Sequence, residues 1–152
     1  MSLEIGSSVP DFVATSTDGE IRLSDLRGKK VILYFYPRDN TPGCTTQGQQ
    51  FRDAYAQFQQ AGAVIIGVSR DTLSSHNKFK EKQGFPFPLI ADPDETLCEA
   101  FGVMKLKNMY GKQVRGIERS TFLINEEGKL QQAWRGLKVP GHVDEVLKTV
   151  QK

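Results

Sequence analysis

Cysteine is scarce in this chain, and its scarcity excludes several chemistries at once. Cys44 and Cys98 are the only two, far apart in sequence. They make no disulfide framework, and with no Cys-x-x-Cys there is neither a thioredoxin-type dithiol nor a zinc site. Histidine is as sparse: His76 and His142 are too few and too separated for a metal cluster, so no metal is expected. The pattern Gly43-x-x-x-x-Gly48 is followed by Gln49-Gln50 where a phosphate loop needs Lys and then Ser or Thr, so no nucleotide cofactor follows. No run of 18 apolar residues is present to span a membrane as a helix. Charge of neither sign dominates: 20 basic and 18 acidic residues leave +2, with no basic run to suggest a nucleic-acid partner. The opening Met-Ser-Leu-Glu-Ile-Gly lacks the basic and apolar regions of a secretory leader, so the expected address is the cytoplasm.

What is present reads as one α/β domain over residues 1–152, long enough to bury a core without covalent staples. Six consecutive apolar residues, Val31 to Tyr36, are rich in β-branched and aromatic types and predict a strand covered on both faces. Upstream, Asp11–Thr17 and Glu20–Ser24 flank Asp18-Gly19, a pair favoured in type I′ turns, and predict an added N-terminal β-hairpin. Downstream, Phe51, Ala54, Tyr55 and Phe58 predict one continuous helical face ending at Ala61-Gly62. Ala63–Ser69 reads as a second buried strand, Thr72–Gln83 as a helix closed by Gly84, and Phe87–Ile90 as a strand whose Pro88 marks an edge or an end. Asp92-Pro-Asp-Glu opens a helix carrying Leu97, Cys98 and Phe101, Val103–Gly116 reads as loop, and a hairpin around Asn125–Gly128 precedes a last helix through Val143, Val146, Leu147 and Val150. This order predicts a mixed central sheet with helices on both faces.

The chemistry gathers at one strand end. After Tyr36 comes Pro37-Arg-Asp-Asn-Thr41-Pro-Gly-Cys44, in which Thr41 reads as an N-cap and Pro42 as the first helical residue, placing Cys44 in the first helical turn. An unassisted thiol is only ~3% ionised at pH 7, and making most of it thiolate takes roughly 3 kcal/mol. A helix start supplies about 0.3–2 kcal/mol of that, so a cation from elsewhere in the chain is expected beside the sulfur.

At Pro37-x-x-x-Thr41-x-x-Cys44 the sequence resembles the peroxiredoxins, and Tyr34-Phe-Tyr-Pro-Arg-Asp-Asn-Thr-Pro-Gly-Cys-Thr-Thr46 resembles the peroxiredoxin Q, or bacterioferritin comigratory protein, branch. The likeness continues through residues 67–71, 88–92, 101–103 and 119–124. It implies a thioredoxin-like fold and a thiol peroxidase reducing hydrogen peroxide and organic hydroperoxides. It further implies that Cys44 is oxidised to sulfenic acid, that Thr41 and the helix-start N–H groups hold the peroxide, that Arg119 supports the thiolate and substrate, and that Pro37 shields the site. Gln47, one turn beyond Cys44, is a candidate to orient Arg119.

Members of that branch carry a resolving cysteine either five residues after the peroxidatic one or in the helix after the second strand. Here position 49 is Gln and Thr72–Gln83 has no cysteine. The leading expectation is a one-cysteine cycle in which thioredoxin, glutaredoxin or glutathione reduces the sulfenic acid. Cys98 as a resolving thiol after local unwinding, or an intermolecular disulfide, are the alternatives; a monomer is expected, a dimer being the other option. A non-enzymatic thioredoxin-like binding module and a stress holdase are the competing functions, neither of which needs Thr41, Cys44 and Arg119 together.

Overall fold

Alternation along one strand divides the core. In the computed structural model, which describes residues 3–152 apart from the side chain of Met109, Lys30–Phe35 forms β3, an interior strand of a seven-stranded sheet. Met1 and Ser2, at the head of the stretch read for a leader, lie outside the described residues. Successive β3 side chains point to opposite faces: Ile32 and Tyr34, with Tyr36 just beyond, enter one apolar layer, and Val31, Leu33 and Phe35 enter the other.

The remaining elements follow in order. They are β1 (Val13–Ser16), β2 (Gly19–Arg22), a 3₁₀ turn (Leu23–Leu26), then after β3 the helices α1 (Pro42–Asp53) and α2 (Tyr55–Gln60), β4 (Ala63–Ser69) and α3 (Leu73–Gln83). Next come β5 (Leu89–Ala91), α4 (Thr96–Ala100), β6 (Met104–Met109), β7 (Lys112–Ile117), β8 (Ser120–Ile124), β9 (Leu130–Arg135) and α5 (His142–Gln151). The sheet runs β2-β1-β5-β4-β3-β8-β9; β3, β4 and β5 are parallel, while β8 lies antiparallel to β3. The layer containing Tyr34 is filled by Phe51 of α1, Phe58 of α2, Phe79 of α3 and Val143, Val146, Leu147 and Val150 of α5. The opposite layer takes Leu23, Leu97, Cys98, Phe101 and Val103. This is the mixed, helix-flanked sheet expected, and among the described residues no helix is long and apolar enough to cross a membrane.

Several local expectations are corrected. The β1–β2 loop is Thr17-Asp18, one residue earlier than a turn on Asp18-Gly19, because Ser16 pairs with Gly19, which takes the positive φ of 98° as the first residue of β2. The apolar face after Cys44 belongs to two helices: α1 closes at Ala54, whose ψ of 4° departs from helical values, and α2 begins anew at Tyr55. Of the two readings of Pro88, the strand end holds and the edge does not: Pro88 precedes β5, where a missing N–H is harmless, and Ser16 of β1 pairs with Ile90 of β5. Val103–Gly116 is not loop but mostly the antiparallel hairpin β6–β7, turned at Tyr110 and Gly111 with φ of 54° and 78°.

Gly48 explains part of the unused glycine pattern. A Cβ built there would lie 2.3 Å from the Phe85 ring, so the glycine lets α1 sit directly on that aromatic.

Candidate active site

The sheet delivers β3 to a loop at its carboxyl end, and Pro42 restarts the chain as α1. Such strand-end crevices are the usual site location in open α/β sheets. Cys44 lies in the first turn of α1, within the layer of Tyr34 and Phe51, and is only 2% exposed. Arg119, between β7 and β8, reaches it across the fold: Nη2 donates to Cys44 Sγ at 3.3 Å, and Nη1 donates to Gln47 Oε1 at 2.6 Å. Gln47 is fully buried, and its Nε2 has no partner among the described residues. The cation sought from elsewhere in the chain is therefore in contact with the sulfur, oriented by a side chain one helical turn along.

Thr41 stands at the N-cap, but its side chain does not cap. Its Oγ1 donates instead to the Arg38 carbonyl at 2.9 Å, and α1 has no side-chain cap bond. Two consequences follow for the site. The N–H groups at the helix start stay available beside the thiol, and the Thr41 oxygen, its proton committed, offers only lone pairs. Pro37 and Thr41 border an open cavity of about 250 Å³.

Gly43 was not a candidate from sequence, yet it shapes this corner. A Cβ on it would lie 3.1 Å from Arg119 Nη2, so glycine leaves the guanidinium its place against the helix start.

Behind the loop lies a polar cluster that no local pattern in the sequence announces. Asp39, His76 and Tyr36 are buried. His76 Nδ1 meets Asp39 Oδ2 at 2.7 Å, Tyr36 Oη donates to Asp39 Oδ1 at 2.7 Å, and Ser75 Oγ donates to Asp39 Oδ2 at 2.8 Å. His76 Nε2 faces the Ile90 carbonyl at 2.9 Å, which only accepts, so that nitrogen carries a proton. The Asp39 N–H donates to Asp71 Oδ2 at 2.9 Å. Asp39, Asp71 and His76 bring ligand-type atoms within 4.8 Å of one another, but these atoms are engaged in the bonds just described. The network ties the Pro37–Thr41 loop to α3 and β5. His142 lies elsewhere in the Tyr34 layer, 2.8 Å from Thr121 Oγ1, and burial pushes its imidazole down to about 4.

Cys98 is on the other side of the sheet from Cys44, packed among Leu97, Phe101 and Val103. Its backbone N–H donates to Asp92 Oδ2 at 2.9 Å, and burial followed by the Asp92 carboxylate push its thiol far up. The structure thus brings Cys44, Gln47 and Arg119 into contact, sets Pro37 and Thr41 together on the cavity beside the helix start, and leaves Cys98 on the other side of the sheet.

Comparison with known proteins gives one consistent picture. The AhpC/TSA family matches residues 5–133. Peroxiredoxin Bcp of Xanthomonas campestris pv. campestris is 58% identical over 146 residues, 95% of this chain and 91% of that one. Peroxiredoxin Bcp of Bacillus subtilis is 52% identical over 151 residues, 99% of this chain and 96% of that one. Among solved structures, the Xanthomonas campestris bacterioferritin comigratory protein, described for its alkyl peroxide reduction activity, superposes with a TM-score of 0.90 at 51% identity, covering 98% of this chain and 96% of that one. A Xylella fastidiosa PrxQ mutant superposes with a TM-score of 0.94 at 44% identity, covering 99% and 97%.

Proposed function

This chain belongs to the AhpC/TSA family, in its peroxiredoxin Q branch with the thioredoxin-like fold, and is a peroxidase; from that premise we propose that Cys44 is the peroxidatic residue of a one-cysteine cycle. The observation that carries this reading is Arg119 Nη2 at 3.3 Å from a sulfur at the start of a helix. The Cys44 thiolate attacks one oxygen of hydrogen peroxide or an organic hydroperoxide, the O–O bond breaks, and the sulfur becomes sulfenic acid while water or an alcohol departs. Arg119 and the free N–H groups of the first turn stabilise charge as it moves from sulfur to the leaving oxygen. Thr41 Oγ1 accepts a hydrogen bond from the proton-bearing peroxide oxygen, because its own proton is given to the backbone carbonyl of residue 38, which no side-chain substitution there removes. Pro37 closes the side of the site, and Gln47 holds Arg119 in place.

The sulfenic acid is reduced by an external thiol: thioredoxin, glutaredoxin or glutathione. The opposite layers of Cys44 and Cys98 support this, since a disulfide needs Cα atoms within about 7 Å and the sheet stands between them. The upward-shifted thiol of Cys98 is also a poor nucleophile. A monomer is the working unit in this reading.

Intact mass after one equivalent of hydrogen peroxide, without reductant, tests the cycle. A gain of about 16 Da is expected in both the wild type and Cys98→Ser, and Cys98→Ser keeps full turnover with thioredoxin. A loss of about 2 Da, or a doubled mass, in the wild type alone overturns the one-cysteine scheme. Arg119→Leu should lower the rate constant for peroxide by about 10²-fold, the scale of removing one preorganised donor. Stopped-flow oxidation reads this directly; a change under threefold would remove Arg119 from the mechanism.

A further inference from the structure

The cavity beside the Pro37–Thr41 loop is where unbalanced positive charge meets the candidate active site. It is bordered by Pro37 and Thr41, by Lys107 and Arg115 of the β6–β7 hairpin, and by Arg38 and Arg70. Two carboxylates answer these four cations: Glu95 pairs with Arg70 at 3.0 Å and with Arg115, and Glu99 pairs with Arg115. Among the described residues no carboxylate is paired with Arg38 or Lys107. Among the same residues, Lys107 Nζ donates only to the Ile117 carbonyl, at 2.7 Å, and Arg70 Nε is buried without a partner. Cations gathered in this way repel one another, and a cleft of one sign concentrates small ions of the other.

The redox chemistry selects the anion. Once oxidised, Cys44 needs two electrons, and the chain's other thiol lies across the sheet. With Cys44 2% exposed, any thiol reaches it only after local opening; a small thiol needs a smaller opening than a folded partner does, and the cavity lies beside Thr41, three residues before the sulfur. At about 250 Å³ the cavity falls below the roughly 300–1,000 Å³ of pockets that enclose drug-sized ligands. It suits the carboxylated arm of a small peptide.

We propose that this cavity binds the carboxylates of a low-molecular-weight anionic thiol, of the γ-glutamyl-cysteinyl peptide class, and so delivers its sulfur to oxidised Cys44. The inference rests on the one-cysteine reading above. The thiolate attacks the sulfenic sulfur; the S–O bond breaks as an S–S bond forms, and the departing hydroxide takes a proton to become water. A second molecule of the same thiol attacks the mixed disulfide at its own sulfur, releasing the Cys44 thiolate and the small disulfide. Two thiols are oxidised and one sulfenic acid is reduced.

The test uses full-length protein oxidised by one equivalent of hydrogen peroxide, then mixed with glutathione or with glutathione diethyl ester, which keeps the thiol and loses both carboxylate charges. Rapid-quench intact mass follows the mixed disulfide. At low ionic strength glutathione should react about tenfold faster than the ester, and the margin should shrink at 1 M salt, where the screening length is about 3 Å. The margin should also vanish in a variant carrying Arg38→Ala and Lys107→Ala, whose oxidation by hydrogen peroxide stays at the wild-type rate. Equal rates for acid and ester, or a margin that survives salt or the double variant, overturns the proposal. So does a carboxylate preference in the oxidation step instead, read with a carboxylated hydroperoxide against its ester, which would assign the cavity to the peroxide. Absence of sulfenic acid in the first mass spectrum overturns the one-cysteine reading itself, and is separate from any difference between the thiols.

Discussion

Replacing Cys44 with serine should reduce peroxide turnover to the uncatalysed background, a loss on the order of 10³-fold or more. The reason is chemical rather than steric. A serine hydroxyl keeps its proton at neutral pH beside the same arginine. An oxygen that did attack would exchange one O–O bond for another, with none of the driving force that sulfur gains by taking up oxygen. The exchange of sulfur for oxygen fills nearly the same volume against Tyr34 and Phe51, so the melting temperature should stay near that of the wild type. Peroxide consumption in the presence of thioredoxin, and separately of glutathione, measures the outcome. Retention of a tenth of the turnover would place the peroxidatic atom elsewhere, and Cys98 is the only other thiol to hold it.

His76→Ala should destabilise the fold by about 3–5 kcal/mol, the scale of leaving two buried hydrogen-bonding groups, one of them a carboxylate, each short of a partner. The substitution strips Asp39 of its contact at 2.7 Å and leaves the Ile90 carbonyl without the Nε2–H at 2.9 Å, both in a buried setting. Tyr36 and Ser75 remain on Asp39, which keeps the cost from rising further. For a chain of this length each kcal/mol moves the melting temperature by roughly 2–4 °C, so a fall of about 10 °C is expected by circular dichroism. Because Asp39 sits two residues from Thr41, turnover measured well below the transition should fall as well, as the loop loses its anchor on α3. A shift under about 2 °C would mean that the pair is replaceable by solvent.

Local chemistry made the centre of this fold readable. Val31–Tyr36 carries its strand signal in six consecutive residues, and the α3 helix is announced at both ends: the Thr72 side chain accepts from the Ser75 N–H at 3.2 Å, and Gly84 takes the left-handed conformation. The β6–β7 hairpin was hidden because lysine, asparagine and methionine are weak strand formers, although Met104, Leu106 and the turn at Tyr110-Gly111 carried an alternation that would have found it. The break between α1 and α2 falls at Ala54, where neither glycine nor proline marks it. In the site, the proline, threonine and cysteine share one short stretch and could be read together. The contacts of Arg119 with Cys44 and Gln47 close over more than seventy residues, and Asp39 meets His76 past two helices, a strand and the start of a third helix. Such meetings depend on strand order and side-chain parity, which no local pattern expresses. Cys98 is the sharpest case: sequence left it open as a resolving thiol after local unwinding, and only the sheet topology puts the two cysteines in different layers.

A sheet with one thiol on each side is, in electrochemical language, a half-cell without its counter-electrode. Oxidation received at Cys44 has no internal circuit by which to discharge, so on the proposed cycle the resting state follows the supply of reductant outside rather than any potential stored in the chain. Where small thiols are plentiful the enzyme idles in its reduced form. Where they are exhausted it accumulates as sulfenic acid, still reversible, and further peroxide drives that sulfur to the sulfinic level. The fraction of Cys44 held in each state is then a gauge of the surrounding thiol pool, set by the placement of two side chains on opposite faces of one sheet.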